Sequence, residues 1–317
     1  MIIIKTNFFI LSNKMNVDTI RDTIKENRPH LSDASLRGYV SVLKNLYIRV
    51  ASDLDLSKAK DFFQENYEKT LAYLLEEYPF STRKTKLASL VVFVDENSPA
   101  HEIYKKHMKQ DWEQYKRKIE EQEKDDKMKK NWISQEELQS IYDKLKRRVA
   151  PMMRDNTLTF ADLWEIQKFV VLALFHLIPP RRLLDYTEFK LRNYDKTKDN
   201  YWEGNNLYFN KYKTAKTYGK ESVSIPKELK QILTKWKRVN LMSDYLLFDK
   251  KGLKMTQPQL TNLLNEILGK GRSVNALRHS FISENVLKDM PRFMELKEIA
   301  KDMGHSVPQM MMYKKEN

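Results

Sequence analysis

FADLWEIQKFVVLALFHLIPPRRLLDY, residues 160–186, divides into an apolar part and a basic part. From Phe160 through Leu163, Ile166, Phe169, Val170, Leu172, Leu174, Phe175 and Ile178, apolar side chains point to most sides of a helix. A helix that is apolar nearly all round belongs in an interior, where its hydrocarbon leaves water. Pro179-Pro180 ends it, because proline has no amide N–H to give and disfavours helix in the residue before it. The spacing predicts a core helix over 160–178, with Arg181 and Arg182 emerging directly after it.

Outward from this helix the pattern changes twice. Within 187–226, FKLRNY, NLYFNKY and ESVSIP read as short strands, with Tyr218-Gly219 turning the last two into a hairpin. Beyond them Thr256 caps a helix holding Leu260, Leu263, Leu264, Ile267 and Leu268, which Gly269 ends. Two last helices are expected over 292–303 and about 307–315, separated by Gly304-His305-Ser306. Upstream, Ser134 and Glu137 form a capping box that opens a helix. Before it, KRKIEEQEKDDKMKK (116–130) holds twelve charges in fifteen positions and can build no core.

The part before this charged stretch reads as helices throughout. One covers 17–27, Ser32 caps a second, a third runs over about 57–77, Ser81 opens a fourth, and Ser98-Pro99 starts a long polar one. The expected fold is mainly α with a small antiparallel β-sheet. Its expected division is a flexible arm, or a start placed too early, over 1–15; a helical domain over 16–118; a charged linker over 119–132; and an α+β domain over 133–317.

Composition narrows the function. The 317 residues carry a formal net charge of +14, which favours a polyanionic partner because neutralised phosphates release counterions. There is no cysteine, so disulfides, thiolate catalysis and cysteine-held zinc are excluded. No run reaches the ~18 apolar residues of a membrane span, and MIIIKTNFFILSNK lacks the small-residue site of a signal peptide. These features fit a reducing intracellular setting, cytoplasm or a eukaryotic nucleus, and a polyanionic partner of any kind.

Four basic clusters and one tyrosine follow in order: Arg181 and Arg182 in PPRRLLDY; Lys213 and Lys216 in YKTAKTYGK; Arg278 and His279 in VNALRHSF; His305 in MGHS; and Tyr313 in MMMYKK. Each alone has an ordinary structural explanation. Arginines often mark the surface end of a core helix, lysines on a turn are usually solvated, and Met and Tyr at helical spacing usually pack. Arg278 beside His279 suits a salt bridge, and a lone histidine such as His305 suits a cap.

Together and in order, the clusters resemble the tyrosine recombinase family. ALRHSFISE resembles its second arginine box, MGHS eight residues before Tyr313 its histidine-and-nucleophile box, and PPRRLLDY its first arginine box, with Asp185 three residues after Arg182. KT on a hairpin ending in SIP resembles its lysine hairpin. LSDASLRGYVSVLKNLY is similar to the first helix region of its core-binding domain, and there Arg37 and Lys44 become candidate DNA contacts.

The resemblance implies a helical core-binding domain joined to a catalytic domain around double-stranded DNA, and four protomers on two DNA sites. It implies Tyr313 as nucleophile, Arg182 and Arg278 gripping the phosphate, Lys213 protonating the leaving 5′ oxygen, and His305 on the phosphate or the proton. Arg181, Lys216 and His279 are implied as further DNA contacts. No cofactor and no metal is expected, since charge stabilisation by guanidiniums and a phenol nucleophile suffice.

Two features depart from the family pattern. Asn275 stands where a histidine is frequent; an amide can hydrogen-bond phosphate but shuttles no proton at neutral pH. The spacing from His305 to Tyr313 is one residue short. Arg181 competes with Arg182, and Lys216 with Lys213. A type IB topoisomerase-like relaxing enzyme and a DNA-binding protein without catalysis remain as alternatives.

Overall fold

The computed structural model describes residues 17–154, 157–304 and 306–313. The expectations for 1–15 and for His305 lie outside the described residues. The chain divides into two compact units, Met1–Glu123 with Arg292–Asn317, and Lys124–Pro291. The break after Glu123 falls inside the charged stretch. The C-terminal part differs from the expected domain over 133–317, because residues from Arg292 onward group with the first unit.

The first unit is helical. Helix α1 covers described residues 17–27, and α2 spans Asp33–Ala51 after Ser32, whose side chain accepts from the Ser35 N–H. Along α2, Leu36, Val40, Leu43, Tyr47 and Val50 are buried at the three- and four-residue spacing that makes one face. The single helix expected over 57–77 is interrupted. A 3₁₀ turn at Leu56–Lys58 leads into α3 (Ala59–Glu65), and Asn66 then leaves helical geometry before α4 (Tyr67–Glu77).

Helix α5 spans Phe80–Phe93, starting one residue earlier than expected, directly after Pro79. Helix α6 spans Pro99–Glu120, with Ser98 as its cap and proline in its first turn, where no N–H is missed. The core of this unit joins Ile20, Leu43, Tyr47, Phe63, Leu74, Leu90, Phe93 and Tyr104. A buried ion pair adds to it: Arg83 grips Asp111 with Nε at 2.8 Å and Nη2 at 2.6 Å, fastening α5 to α6.

Helices α15 (Phe293–Asp302) and α16 (Val307–Met311) complete this unit. Between them they bury only Ala300. The polar ties of α15 run to the end of α6: the Phe293 N–H donates to Gln122 Oε1 at 2.6 Å, and Lys297 Nζ meets Glu120 Oε2 at 2.8 Å. These contacts are the physical reason for the grouping.

The second unit is α+β. Helix α7 (Asp126–Asn131) lies in the charged stretch and buries nothing. Helix α8 spans Gln135–Val149 behind Ser134, which accepts from the Glu137 N–H at 3.0 Å. The core helix α9 spans Phe160–His176, and every residue from Phe169 to Phe175 is buried. Even its one buried polar residue, Gln167, is satisfied, giving Nε2 to the Phe248 carbonyl and taking the Phe248 N–H. Around α9 pack α8, α12 (Lys227–Val239) and α13 (Gln257–Leu268). Thr256 and Gln259 form the capping box of α13, and Gly269 ends it at φ +99°.

After α9, the short helix α10 (Leu183–Thr187) leads into a four-stranded sheet of β1 (Phe189–Lys190), β2 (Asn200–Glu203), β3 (Asn206–Phe209) and β4 (Glu221–Ser224). The sheet is mixed: β1 pairs parallel with β2, and the other two pairings are antiparallel. Strand β2 was not foreseen. The connection from β3 to β4 also exceeds a tight turn, holding one helical turn, α11 (Ala215–Tyr218), before Gly219 at φ +71°. The unit closes with α14 (Val274–Phe281) and a π turn at Ile282–Val286. No helix among the described residues is long and apolar enough to cross a membrane.

Candidate active site

The candidate residues of the second unit sit on three pieces of structure. Arg181 and Arg182 occupy the bend between α9 and α10, which Pro179-Pro180 forces open. Lys213 and Lys216 lie exposed on the loop between β3 and β4, Lys216 within α11. Asn275, Arg278 and His279 lie on α14 at i, i+3 and i+4, one face of the helix, with Asn275 and His279 exposed and Arg278 half-buried.

The bend and the loop are brought together. Arg181 Nε donates to Asp185 Oδ2 at 2.7 Å, and its Nη2 donates to Glu221 Oε2, on β4, at 2.8 Å. The same guanidinium lies 4.1 Å from the Phe209 ring centre and 5.4 Å from that of Tyr212, the residue before Lys213. Burial opposes the charge of Arg181, but the two carboxylates outweigh it and hold the guanidinium protonated. Burial likewise pushes the Asp185 carboxyl above the usual carboxylate range, and Arg181 offsets that only in part. The second oxygen, Oδ1, is buried and takes no hydrogen bond among the described residues.

Asn200 makes the second tie. Fully buried at the start of β2, it donates Nδ2 to the Asp185 carbonyl at 2.9 Å and to the Lys211 carbonyl at 2.8 Å. Its Oδ1 accepts from the N–H groups of Asn210 and Lys211 at 2.8 and 2.6 Å. All four positions of the amide are used, so α10 and the root of the lysine loop form one rigid piece. Asp199 stiffens that root. Burial alone would raise its carboxyl, but Lys190 at 2.9 Å, the Asp195 N–H at 3.0 Å and Lys211 at 3.0 Å pull it far below the usual range. At the loop's far end, Tyr212 donates its hydroxyl to the Gly219 carbonyl at 2.8 Å.

The two arginines of the first basic cluster differ in their surroundings. The spacing to Asp185 is what favours Arg182 over Arg181 as the phosphate-gripping arginine, and the structure has the Asp185 carboxylate held by Arg181. Arg182 is half-buried and its side chain makes no hydrogen bond or ion pair among the described residues. Arg278 is likewise half-buried and unpaired among them. Lys213 and Lys216 are exposed and form no ion pair there either.

The remaining candidates lie in the first unit. Tyr313 follows α16 in a turn, exposed, with its N–H on the Met310 carbonyl at 3.1 Å. Arg37 and Lys44 sit on α2, two turns apart and off its buried stripe, Arg37 exposed and Lys44 half-buried. The structure thus unites the first arginine cluster with the lysine loop, puts the α14 residues in the same unit, and assigns Tyr313, Arg37 and Lys44 to the other.

Sequence reading missed Glu221, Asn200 and Asp199, the side chains that hold this site together. Only a polar residue inside a strand could have flagged Asn200, and the reading left that strand out. No group of three or more His, Asp or Glu is placed to hold a metal ion among the described residues. No family model matches the chain, and no curated protein matches it in sequence.

Proposed function

We propose that the chain cuts and rejoins DNA as a tyrosine recombinase does, through a covalent 3′-phosphotyrosine at Tyr313. The observation that carries this reading is the division of labour among the arginines. Arg181 is consumed by Asp185 and Glu221, whereas Arg182 and Arg278 are half-buried without a carboxylate among the described residues. A partly desolvated guanidinium with no internal partner favours an outside anion, and its planar fork suits the non-bridging oxygens of a phosphodiester.

In this reading the Tyr313 oxygen attacks phosphorus as its proton passes to solvent water. The bond from phosphorus to the 5′ oxygen breaks, and Lys213 protonates that oxygen. Arg182 and Arg278 neutralise the charge that builds on the phosphate, with Asn275 and His305 as hydrogen-bond donors. Attack by a 5′ hydroxyl on the phosphotyrosine reverses the steps, so the bond energy is conserved. Lys216, His279, Arg37 and Lys44 add contacts to double-stranded DNA, Arg181 stays with its two carboxylates, and a tetramer on two sites completes the exchange.

The test is a pool of nicked duplexes whose short 5′ fragment diffuses away after cleavage. The protein should become covalently linked to a DNA 3′ end, and sequencing that end gives the site. Tyr313→Phe should form no adduct. Binding without any adduct would leave only a DNA-binding protein, and efficient relaxation of plasmid by a monomer would favour a topoisomerase-like enzyme.

A further inference from the structure

Helix α14 is held at both ends by one short stretch, Trp132–Glu137. At its C-terminal end the chain opens into the π turn, and Glu284 in that turn faces back. Its Oε1 accepts from Trp132 Nε1 at 2.9 Å, and its Oε2 accepts from the Gln135 backbone N–H at 2.7 Å. Gln135 then donates Nε2 to Ser280 Oγ at 2.8 Å, within α14 itself. Lys124 lies 3.2 Å from the centre of the Trp132 ring, so the start of the unit is drawn into the same contact.

At the N-terminal end, Arg272 donates both terminal nitrogens to the Glu137 carboxylate. Beside it Gly271, at φ +89°, lies against the end of the Asn131 side chain. Glu137 thus holds the entry to α14, and Trp132 and Gln135 hold its exit. A π turn is a strained insertion that persists where the surroundings hold it, and such turns gather at functional sites.

We propose that Glu284 is a positioning residue: through Trp132 and Gln135 it sets the pitch at which α14 presents Arg278, coupling the N-terminal end of α8 to the phosphate grip. The role of Arg278 in that statement rests on the function proposed above; the clamp on α14 does not. A carboxylate is needed because two donors converge on it. A glutamine would keep one acceptor and turn an N–H₂ toward the second donor.

The experiment uses the full chain and two variants, Glu284→Gln and Trp132→Phe, the second removing one donor without adding a clash. Hydrogen exchange over 274–286 should speed up about tenfold in both, while exchange in α9 and α12 stays unchanged. Adduct formation on the nicked pool should slow about tenfold in Glu284→Gln, with duplex affinity within about twofold of wild type. In an Arg278→Lys background, Glu284→Gln should slow it no further, because the two act on one interaction.

Unchanged exchange over 274–286 would overturn the clamp. A loss repeated in full on Arg278→Lys would overturn its action through Arg278. Absence of any adduct in wild type would remove the recombinase reading, and the exchange measurement would still decide the clamp.

Discussion

Arg181 and Asp185, four residues apart, share a hydrogen bond of 2.7 Å between groups almost withdrawn from solvent, while the adjacent Arg182 is bound to neither carboxylate nearby. The two arginines should therefore fail differently. Arg181→Ala strands a buried carboxylate and should cost about 3–5 kcal/mol of stability in urea unfolding. Arg182→Ala should leave unfolding nearly unchanged and abolish adduct formation. Equal stability losses in the two variants would show that Arg182 is structural as well.

Arg278→Ala should slow cleavage by about a hundredfold to a thousandfold, the usual cost of removing one preorganised donor from a phosphoryl or oxyanion site. Tyr313→Phe should retain duplex affinity within about twofold, since it removes one hydroxyl and no charge. Adducts that persist in Tyr313→Phe would place the nucleophile elsewhere.

Asp199 makes a pH prediction with a definite sign. Its folded carboxyl titrates well below the unfolded value, so its contribution is present above the unfolded carboxyl range and is lost as pH falls. Chemical unfolding of the wild type and Asp199→Asn should differ most near pH 7. The gap should close as pH drops below about 4, the range of an unperturbed aspartate. A gap constant with pH would mean that packing, not charge, makes the difference.

Asn200→Ala removes four hydrogen bonds and leaves the Asp185 and Lys211 carbonyls without their amide. A loss of about 2–4 kcal/mol is expected, because unsatisfied buried groups cost more than a bond gains. Exchange should rise first in 210–220, the loop with Lys213 and Lys216. Uniform loosening of the whole unit would argue against a local tie.

Arg37 and Lys44 are tested by salt. Each contact with a phosphate contributes about one to the slope of log affinity against log salt. Replacing either by alanine should shallow that slope by about one without altering sequence preference. A slope indifferent to both would remove α2 from the interface.

Local chemistry is what the sequence exposes best in this chain. Ser32, Ser98, Ser134 and Thr256 all cap the helices they are read to cap, because a cap needs only a side-chain oxygen and an N–H two or three residues on. The burial of α9 is legible because few polar residues interrupt it. The break at Asn66 is not, since apolar spacing continues across it and only packing decides that the helix turns. Strand β2 escapes because NYWE carries a buried asparagine where alternation would ask for an apolar side chain.

The candidate residues themselves stand in short motifs, so each can be named from its neighbours. Their supports cannot. Glu221 reaches Arg181 from forty positions away, and Glu284 reaches Trp132 across more than a hundred and fifty. Which of two adjacent arginines takes Asp185 is settled by that distant glutamate and by Phe209 and Tyr212, none of which spacing can rank.

The ties from α15 to Glu120 and Gln122 have a topological consequence. The polypeptide leaves the first unit after Glu123 and re-enters it at Arg292, so the second unit is an insertion rather than a C-terminal appendage. A single cut at that first crossing would not yield two self-sufficient halves. The fragment from Lys124 onward would carry α15 away from the helix it leans on, and with it α16 and Tyr313.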